Sequence, residues 1–407
     1  MPTLDKTGND RNVPFLIGVL AVFFGIALAF CPTLNSSVAE SMAELTGSPL
    51  DTESLSQAGQ TIFETLTYGR SIHILAMLLL GFGFLMCFIR KHGFSSITAT
   101  LLVVSVSIPV YMLLKAFVEG ESLLSIETFL FAEFAGASLL IAIGAPLGRL
   151  KMDQYLVMAI LFVPIYFLNE WIILESGCFE GFLDTGGSVV IHAFGAYFGL
   201  GVVSCTAKKF TDRETCETDE TTNQFCLLGS LVLWVFWPSF TSAVVAPERA
   251  ILTAINTVLA LCASTIATYV FTKLIRGKIN IEDIANAGLA GGVAIGSACD
   301  YASPGYAMII GLAAGALSTL GFSVIAPKVC KLIRGVDTCG VHNLHGMPGL
   351  LGGLSAMLIT GNVGVQLLAM VVTVAVAFIG GKITGLIMSP MGYKPVLYSD
   401  EGEFEEE

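Results

Sequence analysis

Twelve runs of apolar residues, each long enough to cross a bilayer as a helix, constrain this 407-residue chain more than any other feature. They fall at 14–31, 72–89, 96–116, 126–147, 154–174, 187–207, 224–245, 250–275, 283–299, 305–326, 344–361 and 363–389. In hydrocarbon every backbone N–H and C=O needs an internal partner, so runs of this length can only be helices. The predicted fold is an all-α polytopic membrane protein with about 12 transmembrane helices. The runs at 283–299 and 344–361 are the most diluted by Gly and Ala. Only 13% of the residues are charged, against roughly 25% in soluble domains, so a soluble reading is excluded. The 43 glycines suit close helix–helix contact in lipid.

Charge sets the orientation. With the N-terminus in the cytoplasm, 17 of the 20 Lys and Arg lie at cytoplasmic ends or loops, and only Arg70, Lys115 and Arg249 lie outside. Both termini are then cytoplasmic, in a multi-pass protein of the cell membrane. Acidic residues cluster on the outer side, among them Glu40, Asp51, Glu119, Glu175 and Glu180. The segments expected are a cytoplasmic N-terminus over 1–13, a transmembrane domain over 14–390 and an acidic, solvated cytoplasmic tail over 391–407. The run at 14–31 is read as a retained span, because it is long and Ala27-Leu28-Ala29 is a poor cleavage site. Asn35-Ser36-Ser37 is a glycosylation sequon on the outer side. The net charge of −12 carries no nucleic-acid footprint. The ten cysteines lack CxxC spacing and read as small buried hydrophobes, so neither a metal nor a cofactor is expected. No nucleophile–base pair or phosphate loop suggests an enzyme.

A repeat gives this topology a meaning. Asp184-Thr185-Gly186-Gly187 … His192 … Gly199 recurs 153 positions later as Asp337-Thr338-Cys339-Gly340 … His345 … Gly352. The first copy enters from the outside and the second from the inside, so the two are antiparallel. That is the pattern of an inverted repeat, whose pseudo-two-fold axis lies in the membrane plane. Each histidine follows its aspartate by eight residues, about 12 Å of helix, which brings both imidazoles near mid-depth. Two matching ionisable groups in a membrane interior are a functional-site hypothesis. Asp184 and Asp337 precede glycine-rich helix starts and can cap them. Asp184, at the outer mouth, can also stabilise an arriving cation.

The segments Asp184-Thr-Gly-Gly-Ser-Val-Val-Ile-His192-Ala-Phe-Gly and Asp337-Thr-Cys-Gly-Val-His-Asn-Leu-His345-Gly-Met-Pro resemble the signature helices of the ammonium transporter/Rhesus superfamily. Gly81-Phe-Gly-Phe-Leu-Met86, Ala132-Glu-Phe-Ala-Gly-Ala-Ser138 and Trp237-Pro-Ser-Phe-Thr-Ser242 resemble its Rhesus branch. The resemblance implies a homotrimer with one narrow pore per subunit. It makes His192 and His345 a twin-histidine pore centre, Phe134 and Phe240 an outer gate of stacked rings, and Glu170 and Asp300 acidic groups of the outer vestibule. The segment between Glu170 and Asp184 departs from the family pattern by a short insertion, and Trp171 is given no cation-binding role.

The substrate so implied is ammonium or ammonia. A bare cation in an apolar channel costs several kcal/mol, whereas ammonia is neutral and can hydrogen-bond. An acidic outer face would gather ammonium, and neutral imidazole nitrogens would meet the ammonia that passes. Methylammonium is a further candidate. Alternative readings are a carbon dioxide channel of the same fold and a non-conducting membrane component that serves a sensor or an assembly.

Overall fold

The computed structural model describes residues 52–206, 216–392 and 394–405. The segment 1–13, the predicted span 14–31 and the sequon at Asn35 lie outside them. The described chain is helical, with a single bridge pairing Lys91 and Ser399. In order the helices are α1 (Glu64–Phe88), α2 (Gly93–Glu119), α3 (Ile126–Gly144), α4 (Met152–Glu175), α5 (Ser188–Thr206), α6 (Glu220–Thr241) and α7 (Pro247–Arg276). There follow α8 (Ile281–Ala287), α9 (Ala290–Ile295), α10 (Pro304–Ile333), α11 (Met347–Thr360) and α12 (Val363–Met391). Every predicted span from 72 onward except 283–299 falls on one of these elements.

Local chemistry sets the boundaries. Ser125 caps α3 by accepting from Thr128 N at 3.3 Å. Asp219 and Thr222 close a reciprocal cap on α6, with both bonds at 2.9 Å. Pro247 and Pro304 open α7 and α10, where a missing N–H costs nothing. Large aliphatic side chains such as Leu101, Ile251, Ile309, Leu358 and Val371 are exposed, as a lipid-facing surface requires. Small residues line the internal crossings. A Cβ built on Gly199 would stand 2.5 Å from the Ala142 carbonyl, so α5 and α3 meet this closely only because that position is glycine.

The predicted span 283–299 is not one helix. It breaks between α8 and α9 and ends in a tight turn over Gly296–Ala298. The break is tolerated because it is surrounded by protein and neighbours satisfy its carbonyls. Ser264 donates to Gly288 O at 2.6 Å, and Ser230 donates to Ala285 O at 2.7 Å.

The tail also differs from expectation. Lys394, Tyr398 and Ser399 are buried, not solvated. Asp400 accepts from Phe94 N and Ser95 N at 3.1 and 2.8 Å, at the start of α2. Glu403 accepts from Met152 N at 3.2 Å, at the start of α4. An acidic composition reads as solvation, but here the carboxylates complement two helix N-termini. Tyr398 N donates to Gly148 O at 2.8 Å, and Arg149 Nε donates to the Tyr398 hydroxyl at 2.6 Å.

Candidate functional site

Both repeat copies begin with the same device. Gly187 and Gly340 adopt left-handed conformations (φ 73° and 67°), which turn the chain from an extended entrance into a helix. The first helical residues then form π turns, Ser188–Ala193 and His342–Gly346. Such wide turns recur at functional positions. Each histidine sits in its π turn, so it lies about one turn into its helix. The sequence predicts eight helical residues between each histidine and its aspartate, but the helices begin only at Ser188 and His342. The residues after Gly187 and Gly340 carry orphan N–H groups, and the aspartates take them. Asp184 accepts from Val189 N (3.0 and 3.1 Å to its two oxygens) and Val190 N (2.7 Å). Asp337 accepts from Val341 N (2.9 Å) and His342 N (3.0 Å). Burial pushes both carboxyls up to about 6, against the opposite pull of these N–H groups.

The two copies cross through an approximate two-fold. A Cβ on Gly349 would lie 3.2 Å from Ala193 Cβ, and one on Gly346 would lie 3.5 Å from Ala196 Cβ. Under the repeat offset these two contacts are images of each other. On the axis, His192 Nδ1 and His345 Nδ1 stand 3.1 Å apart. The ring planes differ by 7° and the centroids are 5.3 Å apart. That spacing is too wide for face stacking and fits an in-plane Nδ1···Nδ1 hydrogen bond. One ring donates and the other accepts, so at least one Nδ1 is unprotonated.

A file of rings extends from this pair in both directions. Phe240 lies 6.0 Å from His192, and Phe134 lies 4.8 Å from Phe240 at 57°, tilted and not parallel. Both phenylalanines are buried. On the other side Phe82 lies 6.2 Å from His345. A 610 Å³ cavity opens beyond it, lined by Phe82, Met86, Asn223, Cys226, Glu282 and His345 among others. Trp237 stacks on His192 at 5.6 Å and 19°. The Trp237 indole N–H and His192 Nε2 are both buried and have no partner among the described residues. Buried polar atoms of this kind call for a small polar guest.

The predicted acidic residues are distributed unequally. Ser297 Oγ donates to Asp184 at 2.5 Å, and Gly186 N donates to Gly296 O at 2.8 Å, so the turn that ends the broken span braces Asp184. Asp300 accepts from Thr185 Oγ1 at 2.9 Å and faces Arg249 at 3.8 Å. These groups mark one end of the file. Glu170 is buried and accepts from the hydroxyls of Tyr111 and Tyr166. Trp171 is partly exposed, at 45%. Trp237 and Phe82 were not singled out from the sequence, although both lie inside conspicuous segments, Trp237-Pro-Ser-Phe and Gly81-Phe-Gly-Phe. Nine cysteines among the described residues are free, and Cys178 and Cys262 are exposed, unlike the buried hydrophobes expected.

A bundle of membrane-spanning helices, with an inverted pair of capped helices around one file of rings, defines a multi-pass membrane channel. The sequence profile of the Ammonium Transporter Family matches residues 46–401. "Ammonium transporter Rh type A" of Bos taurus is 36% identical over 390 residues, covering 91% of this chain and 87% of its own. "Ammonium transporter Rh type B" of Danio rerio is 36% identical over 359 residues, covering 78% and 77%. The solved structure titled "Nitrosomonas europaea Rh50 and mechanism of conduction by Rhesus protein family of channels" superposes with a TM-score of 0.81 at 50% identity, covering 83% of this chain and 91% of its own. The chain belongs to the Ammonium Transporter Family, within its Rhesus branch.

Proposed function

We propose that this ammonia/ammonium channel conducts neutral ammonia through the file Phe134–Phe240–His192–His345–Phe82. The observation that carries the reading is the coplanar histidine pair with unmet polar atoms beside it. Ammonia can accept from the Trp237 N–H and exchange hydrogen bonds with His192 Nε2, then pass to the far face of His345. A cation there would meet apolar walls without a counter-charge, at a cost of several kcal/mol. Asp184 and Asp300 hold ammonium at the outer end, and the two buried phenylalanines keep hydrated ions out. Asp337 caps its helix. The active form is a homotrimer with both termini cytoplasmic, a transmembrane domain over 14–390 and a first span at 14–31. The role is transport and not catalysis.

The test is internal pH in proteoliposomes by stopped flow after an ammonium jump. We expect faster alkalinisation than in empty liposomes, lost in the His192→Ala/His345→Ala variant. No acceleration in the wild type would sink the reading. A response to a carbon dioxide jump alone would move the assignment to a gas channel, and silence in both would favour a non-conducting role.

A further inference from the structure

A buried cation stands beside the ring file. Lys115, near the outer end of α2, is only 7% exposed. A charge so far out of water needs partners that neutralise it. Its Nζ donates to Glu119 at 2.5 Å and to Glu175 at 2.7 Å. Both α2 and α4 end in π turns, Lys115–Glu119 and Trp171–Glu175, and the last residue of each turn is one of these glutamates. The ammonium group is therefore tied to the ends of two helices. It also lies over two aromatic rings, 5.7 Å from the centroid of Phe131 in α3 and 5.6 Å from that of Phe167 in α4. Both distances are within cation–π range. Phe167 is braced in turn by Tyr111, one turn before Lys115 in α2, at 5.8 Å and 71°.

Phe131 links this cluster to the pore. It precedes Phe134 by three residues, so the two share a face of α3. Their rings meet edge to face, with centroids 5.9 Å apart at 87°. Phe134 then meets Phe240 at 4.8 Å. A series of contacts thus runs from Lys115 through Phe131 and Phe134 to Phe240. A cation drawn to the face of a ring restrains the plane of that ring, and an edge-to-face contact hands the restraint on. Phe131 is pinned between the ammonium group and Phe134, and Phe134 between Phe131 and Phe240. A tie between α2 and α4 alone would be complete with Glu119 and Glu175, and would not call for a ring of α3 under the cation.

We propose that Lys115 is a positioning residue for the outer gate: through Phe131 it holds the Phe134 ring against Phe240, and so sets how large a guest passes. The guests it separates are ammonia and its alkylated homologues, beginning with methylammonium. Lys115 touches neither the guest nor the histidines, and its effect on selectivity passes through Phe131. This inference rests on the reading of Phe134 and Phe240 as a gate.

The test is the ratio of methylammonium to ammonium flux, each from stopped-flow internal pH in the same proteoliposomes. The ratio cancels the amount of folded protein. It also cancels a change of surface charge, which acts alike on two cations of equal charge. Apolar sites separate guests one methylene apart by roughly tenfold or more, so Lys115→Met, which keeps an apolar stem and removes the cation, should raise the ratio about threefold or more. Lys115→Arg should keep it near wild type, because a guanidinium pairs with carboxylates and lies on rings. Phe131→Leu leaves both ion pairs intact and should raise the ratio as well, which keeps the test decisive where Lys115→Met fails to assemble. The double variant should match Phe131→Leu, since both changes break one series of contacts. An unchanged ratio in Phe131→Leu or in a folded Lys115→Met, or additive effects in the double variant, would overturn the proposal. Phe134→Ala is the reference. If it too leaves the ratio unchanged, the gate reading itself fails.

Discussion

Replacing Asp184 by Asn separates its capping role from its charge. Asp184 receives Val189 N, Val190 N at 2.7 Å and Ser297 Oγ at 2.5 Å. A hydrogen bond to an ionised acceptor is worth about 1.5–3 kcal/mol and a neutral one about 1 kcal/mol. Asn keeps one carbonyl oxygen for the two N–H groups, and its amide can donate to the Ser297 hydroxyl, which rotates to accept. The expected loss of stability is therefore about 2–4 kcal/mol for Asp184→Asn, against about 5–8 kcal/mol for Asp184→Ala, where buried donors are orphaned. The Asn variant should assemble with a melting point lowered by several degrees, and the Ala variant should fail. Flux at low ammonium should then fall at least about tenfold in Asp184→Asn, the equivalent of ~1.4 kcal/mol of lost cation stabilisation. Asp337→Asn is the internal control: its cap has the same chemistry at the opposite end, so it should soften the protein similarly and leave ammonium uptake near wild type. Thermal melts in detergent and stopped-flow uptake give both readouts. Wild-type uptake by a folded Asp184→Asn variant, or equal losses in the two variants, would refute the electrostatic argument and leave only the caps.

The Asp184 carboxyl, raised to about 6, is charged above that pH and neutral below it, so uptake per ammonium should fall as outside pH drops through about 6, and Asp184→Asn should flatten that step. His92 at the tail dock is buried beside Lys394 and Asp400, and burial followed by the Lys394 charge lowers it to about 4. A histidine lowered in the folded state adds stability that is whole above about 6.5 and drains as pH falls through about 4, so the dock should weaken by about 3 kcal/mol over that window, seen as proteolysis of the tail in acid. Gly199→Ala puts a methyl 2.5 Å from the Ala142 carbonyl and should cost about 1–3 kcal/mol or more, whereas Gly69→Ala, with nothing within 4 Å, should be neutral or stabilising, as thermal melts would report. Phe134→Ala should widen the outer constriction and admit methylammonium faster, and unchanged methylammonium uptake would count against a gate at that ring.

Most spans from 72 onward, their order and the inverted repeat were legible in the chain because they rest on chemistry that acts locally. An apolar run in lipid must satisfy its own backbone, and a carboxylate before a glycine-rich helix start has orphan N–H groups within reach. Those two facts suffice to place Asp184, His192, Asp337 and His345 in matching positions. Tertiary structure alone decided the rest. The π turns and left-handed glycines that aim the two imidazoles at each other depend on α5 and α11 crossing where Ala193 meets Gly349. The break between α8 and α9 is viable only because Ser264 and Ser230 arrive from other helices. Trp237 and Phe82 join the ring file through contacts with residues far away in sequence, and Glu170 is drawn into a cluster of phenol hydroxyls. The acidic tail gave no local hint of docking, since the helix N-termini it caps are hundreds of residues upstream. A hydrogen bond between distant segments has no periodicity to read, and it exists only once packing has brought both partners out of water.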